Sequence, residues 1–152
     1  MNLNIEMAKK KAEIFMSDDS RLSGHFFVSL RAQGHSRGEC LLDLLLDERV
    51  YLPFEMDGEE IVLLQKGCIL MIESEGCEYL KMVPFQKKME IRVCFISGQT
   101  LEGEVYSDLP LTKSRLSDFL NHSPRFFCME VGGKEFLINT RFIKSVYPHP
   151  VS

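Results

Sequence analysis

The 152-residue chain has no tryptophan, no close-set cysteine pair and no long apolar run. Each absence removes a class of protein. Nothing approaches the ~18 consecutive apolar residues of a membrane-spanning helix. The opening, MNLNIEMAKKKAEIFM, sets three lysines where a secretory leader needs an apolar stretch. The expectation is a cytoplasmic protein without membrane attachment. Basic charge is also short: 18 Lys and Arg against 22 Asp and Glu give a formal net charge of −4. Binding through nucleic-acid phosphates needs a positive field, so nucleic acid is a disfavoured partner on charge alone. The two basic clusters, Lys9 to Lys11 and Lys87 with Lys88, read as solvated faces.

Chemical signatures are missing as well. The sequence holds no Gly-rich phosphate loop, kinase signature or nucleophile elbow. Arg31 and Arg37 have the wrong spacing for a cyclic-dinucleotide motif. The five cysteines, Cys40, Cys68, Cys77, Cys94 and Cys128, include no C-x-x-C pair for zinc or redox work. Three of them lie inside apolar runs, where a thiol behaves as a small buried hydrophobe. His25, His35, His122 and His149 never fall two to a helix at ligand spacing. The chain is therefore read as non-catalytic, with neither metal nor cofactor.

What is present is a hydrophobic fraction of 45%, eleven Phe, and a sequence that echoes itself. Residues 52–72 can be laid on 126–146 without a gap. Gly58 then meets Gly132, Leu63 meets Leu137, Leu64 meets Ile138, Ile69 meets Ile143 and Ile72 meets Val146. After a shift of one, Leu41, Asp43 and Leu45 fall on Leu116, Asp118 and Leu120. Further upstream, Ile14, Leu22, Gly24 and Phe26 match Val93, Leu101, Gly103 and Val105. The same order of features is expected twice: strand, turn, Gly-containing strand, loop, short Leu-rich helix, then three strands.

Periodicity carries the β assignment. Met89, Ile91, Val93 and Phe95 alternate with polar residues at the period of a half-buried strand. The chain then turns at Gly98. Gly24 and Gly103 sit inside strands, which suggests a bend or bulge that curls the sheet. Asp57-Gly58 and Gly132-Gly133, each between apolar runs, read as hairpin turns. Ser36 with Glu39 fits a capping box ahead of a helix whose apolar face is Leu41, Leu44 and Leu45. Leu116, Phe119 and Leu120 repeat that face, and Asn121 suits a helix stop. The expected fold is mainly β: two tandem small barrels, SH3-like or Sm-like, each with a short inserted helix. Residues 1–11 read as a lead-in segment, helical with Ile5, Ala8 and Ala12 on one side. The first module spans 12–73 and the second 88–150. The linker 74–87 reads as packed, with Tyr79, Leu80, Met82 and Val83 suited to an extra strand.

One series of residues resembles a known family. Val93, Phe95, Gly98, Gly103, Val105 and Asp108 are spaced similarly to the first motif of the Sm-like small barrels. Leu137-Ile138-Asn139-Thr140-Arg141-Phe142-Ile143 loosely resembles the second motif. The segment RLSDFLN at 115–121 is similar to one that recurs in an uncharacterised bacterial family with an Sm-like fold. LPFE at 52–55 and LLQKGCILMI at 63–72 look like that family's later strands. The resemblance runs from about Ala12 to Val146 and implies fold rather than activity. The RNA-binding Arg-Gly pair of Sm proteins is broken, since no Gly follows Arg141 and Lys66 precedes Gly67. RNA binding thus stands as the alternative to a protein-interaction or assembly module, with an unidentified protein partner or a homo-oligomer expected first.

Two pairs of polar residues are the candidate site. Asp43 and Asp118 sit amid apolar helices in corresponding places. The expectation is a structural role, accepting backbone amide hydrogen bonds, against the sharper reading of a paired-carboxylate site. Arg115 and Arg141 are candidate contacts for an anion or a partner carboxylate, with an internal salt bridge as the first expectation. Their counterparts are Cys40 and Gly67, so such a site would be asymmetric.

Overall fold

The computed structural model describes residues 7–29, 40–75, 87–107 and 116–148. Ten strands and two short helices follow one another in this order: β1 (Met7–Met16), β2 (Arg21–Ser29), α1 (Leu41–Leu46), β3 (Tyr51–Met56), β4 (Ile61–Gln65), β5 (Ile69–Ser74), β6 (Lys87–Phe95), β7 (Thr100–Ser107), α2 (Leu116–His122), β8 (Phe126–Val131), β9 (Lys134–Asn139) and β10 (Ile143–Pro148). A 3₁₀ turn, Lys66–Cys68, joins β4 to β5, and another, Thr140–Phe142, joins β9 to β10. The fold is mainly β, and the element order of 7–74 recurs in 87–148.

The strands form one antiparallel sheet in the order β10-β6-β7-β8-β9-β5-β1-β2-β3-β4. Among the described residues β4 and β10 remain as edges, so hydrogen bonding closes neither half into a barrel of its own. Corresponding hairpins share one register. Ala12 faces Gly24 and Ile14 faces Leu22; Ile91 faces Gly103 and Val93 faces Leu101. His25 faces Glu55 as Glu104 faces Glu130. Ile14 faces Ile72 as Val93 faces Val146. A register shift breaks the pairing between Phe15 and Met16, and another between Ile143 and Ser145.

Three expectations need correction. Met7 to Lys11 belong to β1, not to a helix, because Ala8, Lys10, Ala12 and Ile14 turn to one side at strand period against β2. The ungapped match of 52–72 with 126–146 fails for the first strand of the pair. Leu52 faces Leu64, but Phe127 is the residue that faces Ile138. So Leu52 corresponds to Phe127 and Phe54 to Met129, and the odd residue lies in the hairpin turn. The first turn is Asp57-Gly58-Glu59, closed by Met56 N–H donating to Glu60 O at 2.8 Å. The second is the two-residue Gly132-Gly133, with φ of +58° and +82°, values that glycine adopts without steric cost. Thirdly, Gly24 and Gly103 mark close approach rather than a bulge. A Cβ on Gly24 would collide with Glu55 O and come within 2.9 Å of Met56 Cα. One on Gly103 would collide with Glu130 O and come within 2.7 Å of Val131 Cγ2. The capping pair Ser36 and Glu39 and most of the linker, including Tyr79, Leu80, Met82 and Val83, lie outside the described residues, as do Ile5, Asp108 and Arg115.

Two apolar clusters flank the middle of the sheet. The first gathers Ile14, Phe26, Leu52, Phe54, Leu64, Ile69 and Ile72 with the leucines of α1. The second gathers Ile91, Val93, Phe95, Val105, Phe127, Met129, Phe136 and Ile138. Phe26 and Phe54 meet edge to face at 4.9 Å in the first, and Phe119 meets Phe127 at 5.7 Å beside the second. β8 and β9 feed both clusters: Phe126, Cys128 and Leu137 enter the first, their neighbours the second. Strands covered on both faces read as near-continuous apolar runs, and FFCM and FLI are such runs.

Candidate functional site

The place where the two halves meet defines what an interface on this fold looks like. β5 pairs with β9, putting Met71 opposite Ile138, Ile72 opposite Leu137 and Glu73 opposite Phe136. On one side of this junction α1 packs on β8. Its Leu41, Leu42, Leu44 and Leu45 are all buried. Asn139 stitches one end. It is fully buried, its Nδ2 donates to Ile69 O at 2.9 Å, and its Oδ1 accepts from Arg141 N at 3.0 Å. Lys134 Nζ and the Glu73 carboxylate close the other end at 3.1 Å.

The two outer edges are the counterparts of the strands that meet inside. β4 corresponds to β9 and β10 to β5. Leu137 is 0% exposed at the junction, but its counterpart Leu63 on β4 is 64% exposed. Phe126 on β8 is 1% exposed, against 54% for Tyr51 at the same place on β3. With Ile61 and Val50, which are also exposed, these residues make an apolar patch on the β3–β4 edge. At the other edge Tyr147 is exposed and carries the Arg92 guanidinium 4.8 Å from its ring centre. The helices differ in the same sense: α2 has no buried residue, and its Leu116, Phe119 and Leu120 are only partly covered.

Among the described residues, Asp43, Asp118 and Arg141 do not come together in one site. Asp43 ties the start of α1, its Oδ2 accepting from Cys40 N at 2.9 Å. Asp118 lies in α2, whose apolar residues pack on the other cluster, so the two carboxylates serve different cores. Arg141 sits in the 3₁₀ turn after β9, its guanidinium 5.7 Å from the Phe142 ring centre and 3.4 Å from where a Cβ on Gly67 would stand. Among the described residues no carboxylate pairs with it. Cys40, Cys68, Cys94 and Cys128 are thiols. No three His, Cys, Asp or Glu side chains gather as a metal set among the described residues. Lys9 bonds Glu55 at 2.9 Å, and Lys9, Lys10 and Lys11 line a shallow cleft with Ser74 and the buried Glu135.

Charged groups elsewhere fasten strands. Lys66 is buried, and its Nζ donates to Asp47 O at 3.0 Å and Asp47 Oδ1 at 2.7 Å. Burial pushes the Asp47 carboxyl upward, but hydrogen bonds from Arg49 and Lys66 outweigh it and hold the group below its ordinary value. Glu104 and Glu130 stand opposite each other, and the Tyr106 hydroxyl donates toward Glu130 at 3.3 Å. Burial first, then the two carboxylates, raises the Tyr106 pKa, while Lys88 neutralises Glu104 at 2.8 Å. Asn139 at the junction and Tyr51 and Leu63 on the open edge are the residues that sequence reasoning left unassigned. Leu63 and Leu137 occupy matching places in the self-alignment, which was the available signal.

Comparison with protein-family models, with curated proteins and with solved structures finds no match. No helix among the described residues is long and apolar enough to cross a membrane.

Proposed function

We propose that the chain is a non-catalytic assembly module made of two tandem Sm-like units, working through the edges of its sheet. In each half the strands run in the spatial order fifth, first, second, third, fourth, which is β5-β1-β2-β3-β4 in one and β10-β6-β7-β8-β9 in the other. Common registers and the paired glycines support a duplication. The observation that carries the functional reading is the contrast between Leu137 and Leu63. The fold already uses this strand position to bury one unit against another, and leaves the second instance open. An open strand edge with apolar neighbours is suited to pairing with another chain. Of the polar candidates, Asp43 makes a structural bond to Cys40 N.

Affinity capture with the tagged chain from its own cells, with and without nuclease, tests this. Proteins retained after nuclease and lost with Leu63→Glu are the expected result. Capture that nuclease abolishes would replace the reading with RNA binding. Capture unaffected by Leu63→Glu would remove the edge from the account.

A further inference from the structure

We infer that the outer face of β3 and β4 docks a leucine-rich helix of a partner protein, whose acidic flank meets Lys11. The inference rests on the assembly reading above and gives the partner a chemistry.

The covered copy of the same face is the template. The hairpin registers put Tyr51, Pro53 and Leu63 in the places of Phe126, Cys128 and Leu137. In the second half those three side chains are buried in the cluster that contains α1. α1, whose sequence LLDLLL is leucine but for Asp43, packs directly on β8. In the first half α1 belongs to the cluster on the opposite side of the strands, with Leu52, Phe54 and Leu64. Successive strand residues point to opposite faces, so Tyr51, Pro53 and Leu63 have the same place in their unit and no such helix on them.

The shape of the face fits a helix. Pro53 stands opposite Leu63, and Phe27 falls beside Pro53, one residue on from Phe26 opposite Phe54. These three form an apolar row across β2, β3 and β4, with the exposed Tyr51 on one side and the exposed Ile61 on the other. Such a strip matches the apolar stripe of an amphipathic helix. A strand added at β4 would bond the edge and leave Phe27 and Tyr51 uncovered, since both lie inward of it. A second copy of the chain has no helix to spare among the described residues. Its α1 leucines are buried, and Leu116, Phe119 and Leu120 of α2 pack on their own cluster.

Charge sets the flank. Lys9 and Lys11 lie on this face, opposite Phe27 and His25. Glu55 is bonded by Lys9 and Glu13 by Arg21, so Lys11 is the cation that meets a carboxylate of the incoming helix. Asp57, Glu59 and Glu60 in the β3–β4 turn repel acid there and keep the acidic flank toward β1.

The probe is a labelled, helix-stapled peptide copying residues 40–49, CLLDLLLDER, with a control in which serine replaces its leucines. Fluorescence anisotropy with the full chain should show saturable binding of the first peptide and none of the control. Tyr51→Ala, at an exposed position off the edge strand, should raise the dissociation constant at least about ten-fold, as for an interface aromatic, with the circular dichroism melt unchanged. Lys11→Glu should weaken binding, and more at low salt than at high. A leucine peptide that does not bind overturns the inference. So does binding undiminished by Tyr51→Ala, or equal binding of the serine control. The assembly reading is judged separately: it survives a peptide that does not bind if capture still yields proteins lost with Leu63→Glu.

Discussion

Gly24 and Gly103 sit where a neighbouring strand presses its backbone against them, Glu55 and Met56 in one half, Glu130 and Val131 in the other. Backbone cannot swing aside as a side-chain tip can. Replacing either glycine with valine is therefore expected to cost about 1–3 kcal/mol through overpacking. The two costs should be similar and add approximately when combined, since the sites lie in separate halves. Chemical denaturation of the three variants measures this, and a neutral Gly103→Val beside an unfolding Gly24→Val would contradict the equivalence. That these positions require glycine was legible in the sequence. The reason was not, because the colliding atoms belong to strands some thirty residues onward (roughly a whole supersecondary unit). Asp47 and Lys66 give a pH-dependent prediction. The Asp47 carboxyl is held below its ordinary value when folded, so its contribution is present above the unfolded carboxylate pKa and lost as pH falls through the folded one. Lys66→Met should cost about 1–3 kcal/mol at neutral pH by stranding Asp47 O and weakening that contribution. Urea midpoints measured from neutral to acid pH should fall less steeply in the variant than in the wild-type chain.

At the scale of elements, the two halves differ less in what they are than in what covers them. β1 was misread as partly helical because Ile5, Ala8 and Ala12 fall at helical spacing and three lysines interrupt the apolar alternation. Pairing with β2 from Met7 onward settles the matter, and that is a contact a local pattern does not contain. The helices and hairpin turns were readable, since their signals are local: leucines at helical spacing, and Gly132-Gly133 between apolar runs. The interface role of Asn139 was not, because it depends on β5 lying alongside. Asn139→Ala is expected to cost about 1–3 kcal/mol, leaving Ile69 O buried without its donor. Gln65→Ala on the open edge should stay within about 0.5 kcal/mol in dilute solution. Thermal or urea unfolding of the pair reads the difference, and equal losses would contradict the distinction between a covered and an open copy of the same position.

For the whole molecule, the sequence suggests two β modules, and the structure shows their strands in one ten-stranded sheet. IVLL on β4 and FLI on β9 are equally apolar runs, yet one strand is an edge and the other is covered on both faces. Only the partner differs, and an apolar run does not say which partner it has. The joined sheet turns that ambiguity into an asymmetry, with the β5–β9 contact made once and its counterpart left open at both ends. Amide hydrogen exchange of the chain in dilute solution tests this most directly. Amides of β5 and β9 should be protected, while the outward-pointing amides of the edge strands β4 and β10 should exchange fast. Outward-pointing edge amides as protected as those of the junction would contradict the account.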